Sequence, residues 1–212
     1  MSQSANNKEI EIKLCVASFA DYLKILGFLG NVDGESEQLN CFFDTEDRQL
    51  SEAGWALRIR VSGDHGLVTV KGIPTEEGLA VVRDEIESTI PRGTALAIVN
   101  LQHDVMSLSV EPIEFIRERF PDVPLARLVE FRTLRKHKLF KMGDCDYQLM
   151  VDQTSFHDGT VDYELEVELP DIKEVATVED CLRKLFDRLK IPFEPQSESK
   201  FERALKCSGI PD

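Results

Sequence analysis

Two short segments near opposite ends of the chain carry acidic residues at alternate positions. The first is residues 9–13, EIEIK, and the second is residues 163–169, YELEVEL. Because successive side chains of a β-strand point to opposite faces, each segment predicts a strand with one acidic face and one aliphatic face. A row of like charges on one face is unfavourable on its own. We therefore expect both acidic faces to line a common interior that also holds cations.

Basic residues alternate in the same way in segments that lie between the two acidic ones. In residues 57–61, LRIRV, the side chains of Arg58 and Arg60 share a face, and Lys71 ends the next predicted strand, residues 67–71. Acidic and basic strand faces together predict a cavity that binds a divalent cation and a polyanion at once. A metal-bound chain of phosphates has this charge pattern.

Composition limits the classes of protein to which the chain can belong. The 212 residues predict one domain, spanning 1–212, that is large enough to bury a core. The formal net charge of −14 argues against nucleic acid or an anionic membrane as the main partner, since both require extended basic surface. No apolar run approaches the roughly 20 residues of a membrane span.

Several absent motifs narrow the expectations further. Residues 1–8 are polar and lack the apolar segment of a signal peptide, and the five cysteines are scattered without a CxxC pair. Both features predict a cytoplasmic protein with reduced thiols. The sequence contains neither a GxxxxGK[ST] loop nor a GxGxxG loop, so a nucleotide would not be held at a helix N-terminus.

Hydrophobic periodicity predicts an α+β fold. Strands are expected at about 9–16, 39–44, 55–62, 66–72, 80–90, 125–139, 147–152 and 163–169. Helices are expected at about 18–28, 94–108 and 112–120, from about 177, and at about 199–206, with loops at 30–38 and 73–78. About eight strands interrupted by helices fit a closed eight-stranded antiparallel β-barrel with flanking helices, and a barrel of this size can enclose one small ligand.

The motifs and their order resemble those of the CYTH family, also called triphosphate tunnel metalloenzymes. The matching elements are ExExK at 9–13, FFDT at 42–45, LRIR at 57–60, the strand ending in Lys71, RDEIE at 83–87, FRTLR at 131–135, Asp152, ELEVE at 164–168 and SK at 199–200. The resemblance spans nearly the whole chain and implies a single triphosphate tunnel domain.

The resemblance also implies a role for each charged residue. The expected metal ligands, which would bind Mg²⁺ or Mn²⁺, are Glu9, Glu11, Glu87, Asp152, Glu166 and Glu168. The residues expected to bind substrate phosphates are Lys13, Arg58, Arg60, Lys71, Arg83, Arg135 and Lys200. The residues expected to take part in catalysis are Glu87, Glu168, Arg58 and Lys200. These roles agree with chemistry, because carboxylates suit hard cations and guanidinium groups offer paired donors to phosphate.

The expected activity is metal-dependent hydrolysis of the terminal phosphate of a triphosphate, with inorganic tripolyphosphate preferred. Thiamine triphosphatase and class IV adenylate cyclase, which the family also includes, stay open as alternatives, as does a non-catalytic module that binds polyphosphate or nucleotide. The expected partner is a small-molecule triphosphate, bound by a monomer or a homodimer. Asp44 is expected to order a turn or pair with a cation in the tunnel, and Trp55 to pack rather than stack on a substrate.

Overall fold

A computed structural model describes residues 7–121 and 123–210 of the chain. The polar segment 1–6, which contributes to the predicted location, lies outside the described residues, as do both ends of the predicted domain 1–212. Among the helices of the described ranges, none is long and apolar enough to cross a membrane.

The described residues form nine β-strands and six α-helices. The strands are β1 (Asn7–Val16), β2 (Gly34–Asp44), β3 (Ala56–Ser62), β4 (His65–Lys71), β5 (Thr75–Glu77), β6 (Ala80–Pro91), β7 (Ala126–Met142), β8 (Cys145–Ser155) and β9 (Val161–Glu168). The helices are α1 (Phe19–Leu29), α2 (Gln49–Glu52), α3 (Arg92–Val99), α4 (Glu111–Arg119), α5 (Val175–Leu189) and α6 (Lys200–Cys207). The predicted α+β class is confirmed.

The sheet closes on itself into a barrel. Eight strands follow one another in the order β1, β9, β8, β7, β2, β3, β4 and β6, and β6 pairs back to β1. Every one of these pairings is antiparallel. The additional short strand β5 pairs with the beginning of β6. Closure satisfies the backbone groups that an open sheet would expose at its edges, and it confirms the predicted eight-stranded barrel.

Alternation along the strands separates a charged interior from an apolar exterior that the helices cover. On β1, Ile12 and Leu14 are fully buried in a core with α1 and α5. On β3, Leu57 and Ile59 are fully buried in a second core with α3 and α4. The alternate residues of the same strands therefore point into the barrel, as the sequence predicts. A third, smaller apolar cluster joins α6 to β2, β7 and Phe156, which follows β8.

In three segments the sequence prediction was wrong for identifiable physical reasons. Residues 34–38, expected as a loop, extend β2 because they pair with 133–137 of β7. The expected helix 94–108 ends at Val99, since Leu101 has a φ of 59° that a right-handed helix cannot continue through, and a separate 3₁₀ turn follows. Residues 75–77, also expected in a loop, form β5.

The packing of α3 on β4 depends on a glycine. A Cβ atom at Gly66 would lie 2.3 Å from the Cβ of Ala95. We expect Gly66→Ala to lower the free energy of unfolding by about 1–3 kcal/mol, because neither Cβ can move without its backbone. Gly93→Ala is the matched control, since a Cβ there meets nothing within 4 Å. Urea unfolding of both variants measures the difference, and equal stabilities would contradict this account of the packing.

Candidate active site

The barrel encloses a cavity of about 790 Å³ lined by inward-facing strand residues and by part of α6. The predicted site residues that line it are Glu9, Glu11, Lys13, Arg58, Arg60, Lys71, Arg83, Glu87, Arg135, Glu166, Glu168 and Lys200. Asp152, the remaining predicted residue, is fully buried and in contact with Arg135. The structure therefore brings the predicted residues together around one cavity.

On one part of the wall, the acids of β1 meet bases from β4 and β6. Lys71 Nζ lies 2.7 Å from Glu9 Oε1 and 3.2 Å from Glu85 Oε1. Arg83 bridges the two β1 acids, with its Nε 3.0 Å from Glu9 Oε2 and its Nη2 in contact with Glu11. The strand register explains these contacts, because Arg83 lies directly opposite Glu9 on the adjacent strand. The β1 acids are thus neutralised by residues far away in the sequence.

Glu11 is the most strongly perturbed acid of this part of the wall. Its burial would by itself raise the pKa of the carboxyl, but Lys13, whose Nζ lies 3.1 Å from Glu11 Oε1, acts against this. Together with Lys71 and Arg83, it lowers the pKa of Glu11 to about 2. The carboxylate is therefore ionised at neutral pH although only 4% of the residue is exposed.

A second cluster of charges joins β7, β8, β9 and α6. Lys200 Nζ lies 2.8 Å from Asp152 Oδ2 and 2.8 Å from Glu166 Oε1, and it also contacts Glu164. Arg135 donates to both carboxylate oxygens of Asp152, at 2.9 and 2.6 Å, and contacts Glu166. Each of the three carboxylates therefore contacts at least one cation.

The pKa values of Glu164 and Glu166 in this cluster are shifted in opposite directions. Burial raises the pKa of Glu164 to about 7, against the opposing effect of Lys200. Burial would also raise the pKa of Glu166, yet Lys200 and Arg135 hold it well below the ordinary value. Burial would lower the pKa of Lys200, but Asp152 and Glu164 raise it above the ordinary value. Within this cluster, Glu164 is therefore the carboxylate most readily protonated near neutral pH.

The third part of the wall carries two arginines that, within the described ranges, form no ion pair with a carboxylate. Arg58 Nη2 donates to Thr69 Oγ1 at 3.2 Å, and Thr69 donates in turn to Glu87 at 2.9 Å. Arg60 Nε donates to Asn40 Oδ1 at 2.9 Å. Burial, followed by repulsion from Arg58, lowers the pKa of Arg60 to about 9, so the guanidinium stays charged at neutral pH. This wall is suited to bind an anion.

The acidic residues also offer a donor set for a metal ion. One oxygen from each of Asp152, Glu164 and Glu166 lies within 4.8 Å of the other two. Oxygen donors of this kind fit Mg²⁺ or Mn²⁺. The ammonium of Lys200 now contacts all three residues, so a divalent cation there would compete with it. Two members, Asp152 and Glu166, belong to the predicted ligand set, and Glu164 is an addition to it.

Glu11 and Glu168 are direct cross-strand partners on β1 and β9, which brings two further predicted ligands side by side. Glu168 is exposed, whereas Glu11 is buried. Partial burial, and then the charge of Glu9, raise the pKa of Glu168. The ligand roles of these residues stay predictions, because the geometry fixes their proximity and not their function.

Arg203 of α6 is a charged neighbour of the site that sequence reasoning missed. Its Nε lies 2.7 Å from Asp162 Oδ2, and its Nη2 lies 2.5 Å from Glu164 Oε2. Ser199 caps α6 in a capping box, so that Lys200 stands at the first turn and Arg203 one turn later on the same side. The sequence feature that could have identified Arg203 is its three-residue spacing from Lys200 on a short amphipathic helix.

Asp44 and Trp55 both have structural roles. Asp44 accepts hydrogen bonds from backbone amides in the turn 45–51, at 2.7, 2.9 and 3.0 Å, and thereby orders that turn. Trp55 packs edge-on against Phe115, with ring centroids 4.6 Å apart, while part of it also lines the cavity. The packing predicted for Trp55 and the turn predicted for Asp44 agree with these contacts.

Rows of acidic residues and two arginines that form no ion pair in the described ranges therefore face one cavity of a closed barrel. The family model described as the CYTH domain matches residues 7–205, and the chain belongs to this family. A search of curated protein sequences gives no match.

Solved structures show the same fold. HpAC1 from Hippeastrum, a candidate adenylyl cyclase with a dominant triphosphatase activity, is 23% identical, with a TM-score of 0.83 over 96% of this chain and 97% of that chain. A candidate adenylate cyclase from Bacillus halodurans is 25% identical, with a TM-score of 0.71 over 92% and 97% of the two chains. PH1819 from Pyrococcus horikoshii is 17% identical, with a TM-score of 0.61 over 92% and 98%.

The lowered pKa of Glu11 has a consequence for stability in the absence of metal. Because the pKa falls from an ordinary 4.5 to about 2 on folding, ionised Glu11 stabilises the fold above pH 4.5, and this contribution is lost as pH falls through 2. We expect Glu11→Gln to lower the free energy of unfolding at pH 7 by about 2–3 kcal/mol, and the deficit to shrink below pH 4.5.

Urea unfolding in EDTA at pH 7, 5, 4 and 3 measures this effect. Glu168→Gln is the control, since its raised pKa means that the ionised form does not stabilise the fold, and we expect no loss at pH 7. A deficit for Glu11→Gln that is the same at every pH would contradict the assignment.

Proposed function

We propose that this protein is a metal-dependent phosphoanhydride hydrolase that removes the terminal phosphate of a triphosphate, with inorganic tripolyphosphate as the preferred substrate. The observation that carries the proposal is one cavity in which, among the described residues, Arg58 and Arg60 form no ion pair with a carboxylate while carboxylates line other strands. A ligand with negative charge would pair with the arginines, and a cation bound to that ligand would compete with the lysines and arginines that now contact the carboxylates. A metal–triphosphate complex has this composition.

The arginines and lysines of the wall would hold the phosphate chain. Arg58 and Arg60 present guanidinium donors into the cavity, and Lys13, Lys71 and Lys200 add ammonium groups around it. A hydrogen bond to a charged group contributes about 1.5–3 kcal/mol. Several such bonds supply specificity for the phosphates themselves, without any contact to a nucleoside.

The carboxylates would hold Mg²⁺ or Mn²⁺. Asp152, Glu164 and Glu166 supply the close group of oxygens, and Glu11 and Glu168 supply two more from neighbouring strands. A bound divalent cation would neutralise charge on the phosphate oxygens and assist the displacement. The chain's own part is to fix these oxygens on rigid strands of a closed barrel, where they need little rearrangement.

A carboxylate near the phosphates would also accept the proton of the attacking water. Glu87 accepts a hydrogen bond from Thr69 and lines the cavity beside Arg58, and Glu168 is exposed to solvent within the same cavity. Either position allows contact with water.

All five cysteines are unpaired, which supports a reducing compartment such as the cytoplasm.

Adenylate cyclase is the second candidate, because the Bacillus halodurans relative carries that description and the Hippeastrum protein carries it beside a triphosphatase activity. A cyclase must aim the 3′-hydroxyl of ATP at the α-phosphate, which requires contacts to adenine and ribose. The two candidates therefore differ in the products that they form.

Product analysis tests the proposal directly. We expect tripolyphosphate with Mg²⁺ or Mn²⁺ to yield orthophosphate and pyrophosphate faster than thiamine triphosphate or ATP yields any product. The reason is that the basic residues of the cavity wall bind the phosphate groups themselves. ATP is expected to yield little or no cyclic AMP. Ion-exchange chromatography resolves these products, with EDTA as the metal-free control. Abundant cyclic AMP beside unreacted tripolyphosphate would overturn the proposal in favour of the cyclase.

Ligand-dependent stability tests the position of the phosphates. Tripolyphosphate and Mg²⁺ at about 100 times the dissociation constant should stabilise the fold by about 2.7 kcal/mol. We expect Arg58→Ala to lose most of this stabilisation at the same concentrations, because it removes a buried donor of the wall. Lys184→Ala, which removes an exposed lysine of α5, is the matched control. Equal thermal shifts for all three proteins would place the phosphates outside the cavity.

A further inference from the structure

Asn40 is a buried amide in the inward-facing row of β2. It lies directly opposite Arg60 on β3 and directly opposite Phe131 on β7, and both of these neighbours line the cavity. Only 1% of Asn40 is exposed. The next inward position along β2, Phe42, also lines the cavity. The amide therefore lies behind the cavity wall, between two residues that line the cavity.

The orientation of the Asn40 amide is fixed by Arg60. Arg60 Nε donates to Asn40 Oδ1 at 2.9 Å. A guanidinium group has donors and no acceptor, so the carbonyl oxygen, and not the NH₂ group, must face it. The amide thus holds the Arg60 side chain through its Nε and leaves the terminal nitrogens of that arginine for other contacts.

The other end of the same amide has no partner. Asn40 Nδ2 is buried and finds no hydrogen-bond acceptor among the described residues, and the same holds for Arg58 Nε. Buried donors without acceptors are rare and unfavourable in folded proteins. Both donors belong to the part of the barrel that carries Arg58 and Arg60, two arginines that form no ion pair with a carboxylate among the described residues. A ligand rich in acceptor oxygens would suit this part of the wall.

We infer that Asn40 is a positioning residue for the phosphate chain that acts through Arg60. The inference rests on the proposed function, because it takes the acceptor-rich ligand to be a triphosphate. An amide suits this task better than a carboxylate. Aspartate at this position would also accept from Arg60, but its charge would neutralise the guanidinium and repel the phosphates.

This reasoning gives opposite expectations for two variants. We expect Asn40→Ala to weaken tripolyphosphate binding about tenfold, since Arg60 loses the partner that orients it. We expect Asn40→Asp to weaken binding more, by about 30-fold or more, while raising the melting temperature of the ligand-free protein. Gln38→Ala is the matched control, because Gln38 is a buried amide on the same strand whose Nε2 donates to Ser36. We expect it to bind as the wild type does.

Calorimetry of tripolyphosphate binding in EDTA provides the dissociation constants without turnover, and melting curves show that each variant folds. Arg60→Ala and the double variant Asn40→Ala/Arg60→Ala complete a double-mutant cycle. If Asn40 acts through Arg60, Asn40→Ala weakens tripolyphosphate binding much less in the Arg60→Ala background than in the wild type. The Nε–H signal of Arg60 in NMR spectra should also be protected from exchange in the wild type and lost in Asn40→Ala.

The outcomes separate this inference from the proposed function. A wild type that binds tripolyphosphate, with Asn40 variants that bind equally well, would overturn the role of Asn40 and leave the proposed function intact. Fully additive effects in the cycle would likewise overturn the action through Arg60. A folded wild type that does not bind tripolyphosphate in EDTA would overturn the inference about Asn40, whereas the proposed function is overturned by the product analysis described above.

Discussion

The burial of two rows of carboxylates inside a closed barrel is the constraint on which the rest of this structure depends. A buried charge costs several kcal/mol unless a charge of opposite sign and further hydrogen bonds compensate it. The β1 row obtains its cations from β4 and β6, through Lys71 and Arg83. The β9 row obtains them from β7 and α6, through Arg135 and Lys200. Because these partners are distant in sequence, the charges are compensated only when the barrel closes.

Helix α6 couples the charges of the cavity to its apolar packing. Phe201 stacks on Phe42 with ring centroids 4.4 Å apart, while Lys200 reaches the carboxylates of β8 and β9. Arg203 adds a second connection to β9. A divalent cation among Asp152, Glu164 and Glu166 would compete with the ammonium of Lys200. Metal binding at these oxygens would therefore be linked to the docking of α6.

Much of this arrangement could be predicted from the sequence, because a period of two fixes which strand residues share the interior. The acidic and basic rows, the closed barrel and the residues lining the cavity all followed from that period and from the ordered motifs. The individual contacts could not be predicted, since the register between distant strands is set by closure. The strand at residues 34–38 was missed because its partner lies about 100 residues away. Asn40 gave no signal because a single amide in a strand is ordinary, and Arg203 was missed because its spacing from Lys200 is common on the solvent face of a helix.

The choice between arginine and lysine in the cavity follows from the partners of each position. Lys13, Lys71 and Lys200 each lie within 3.1 Å of a carboxylate oxygen, so each ammonium has a partner of opposite charge. Arg58 and Arg60 form no such pair within the described ranges, and burial lowers the pKa of both. A lysine there would lose its proton readily, whereas a guanidinium starts from a higher pKa and stays charged. The two unpaired cations must therefore be arginines if the wall is to attract an anion before one arrives.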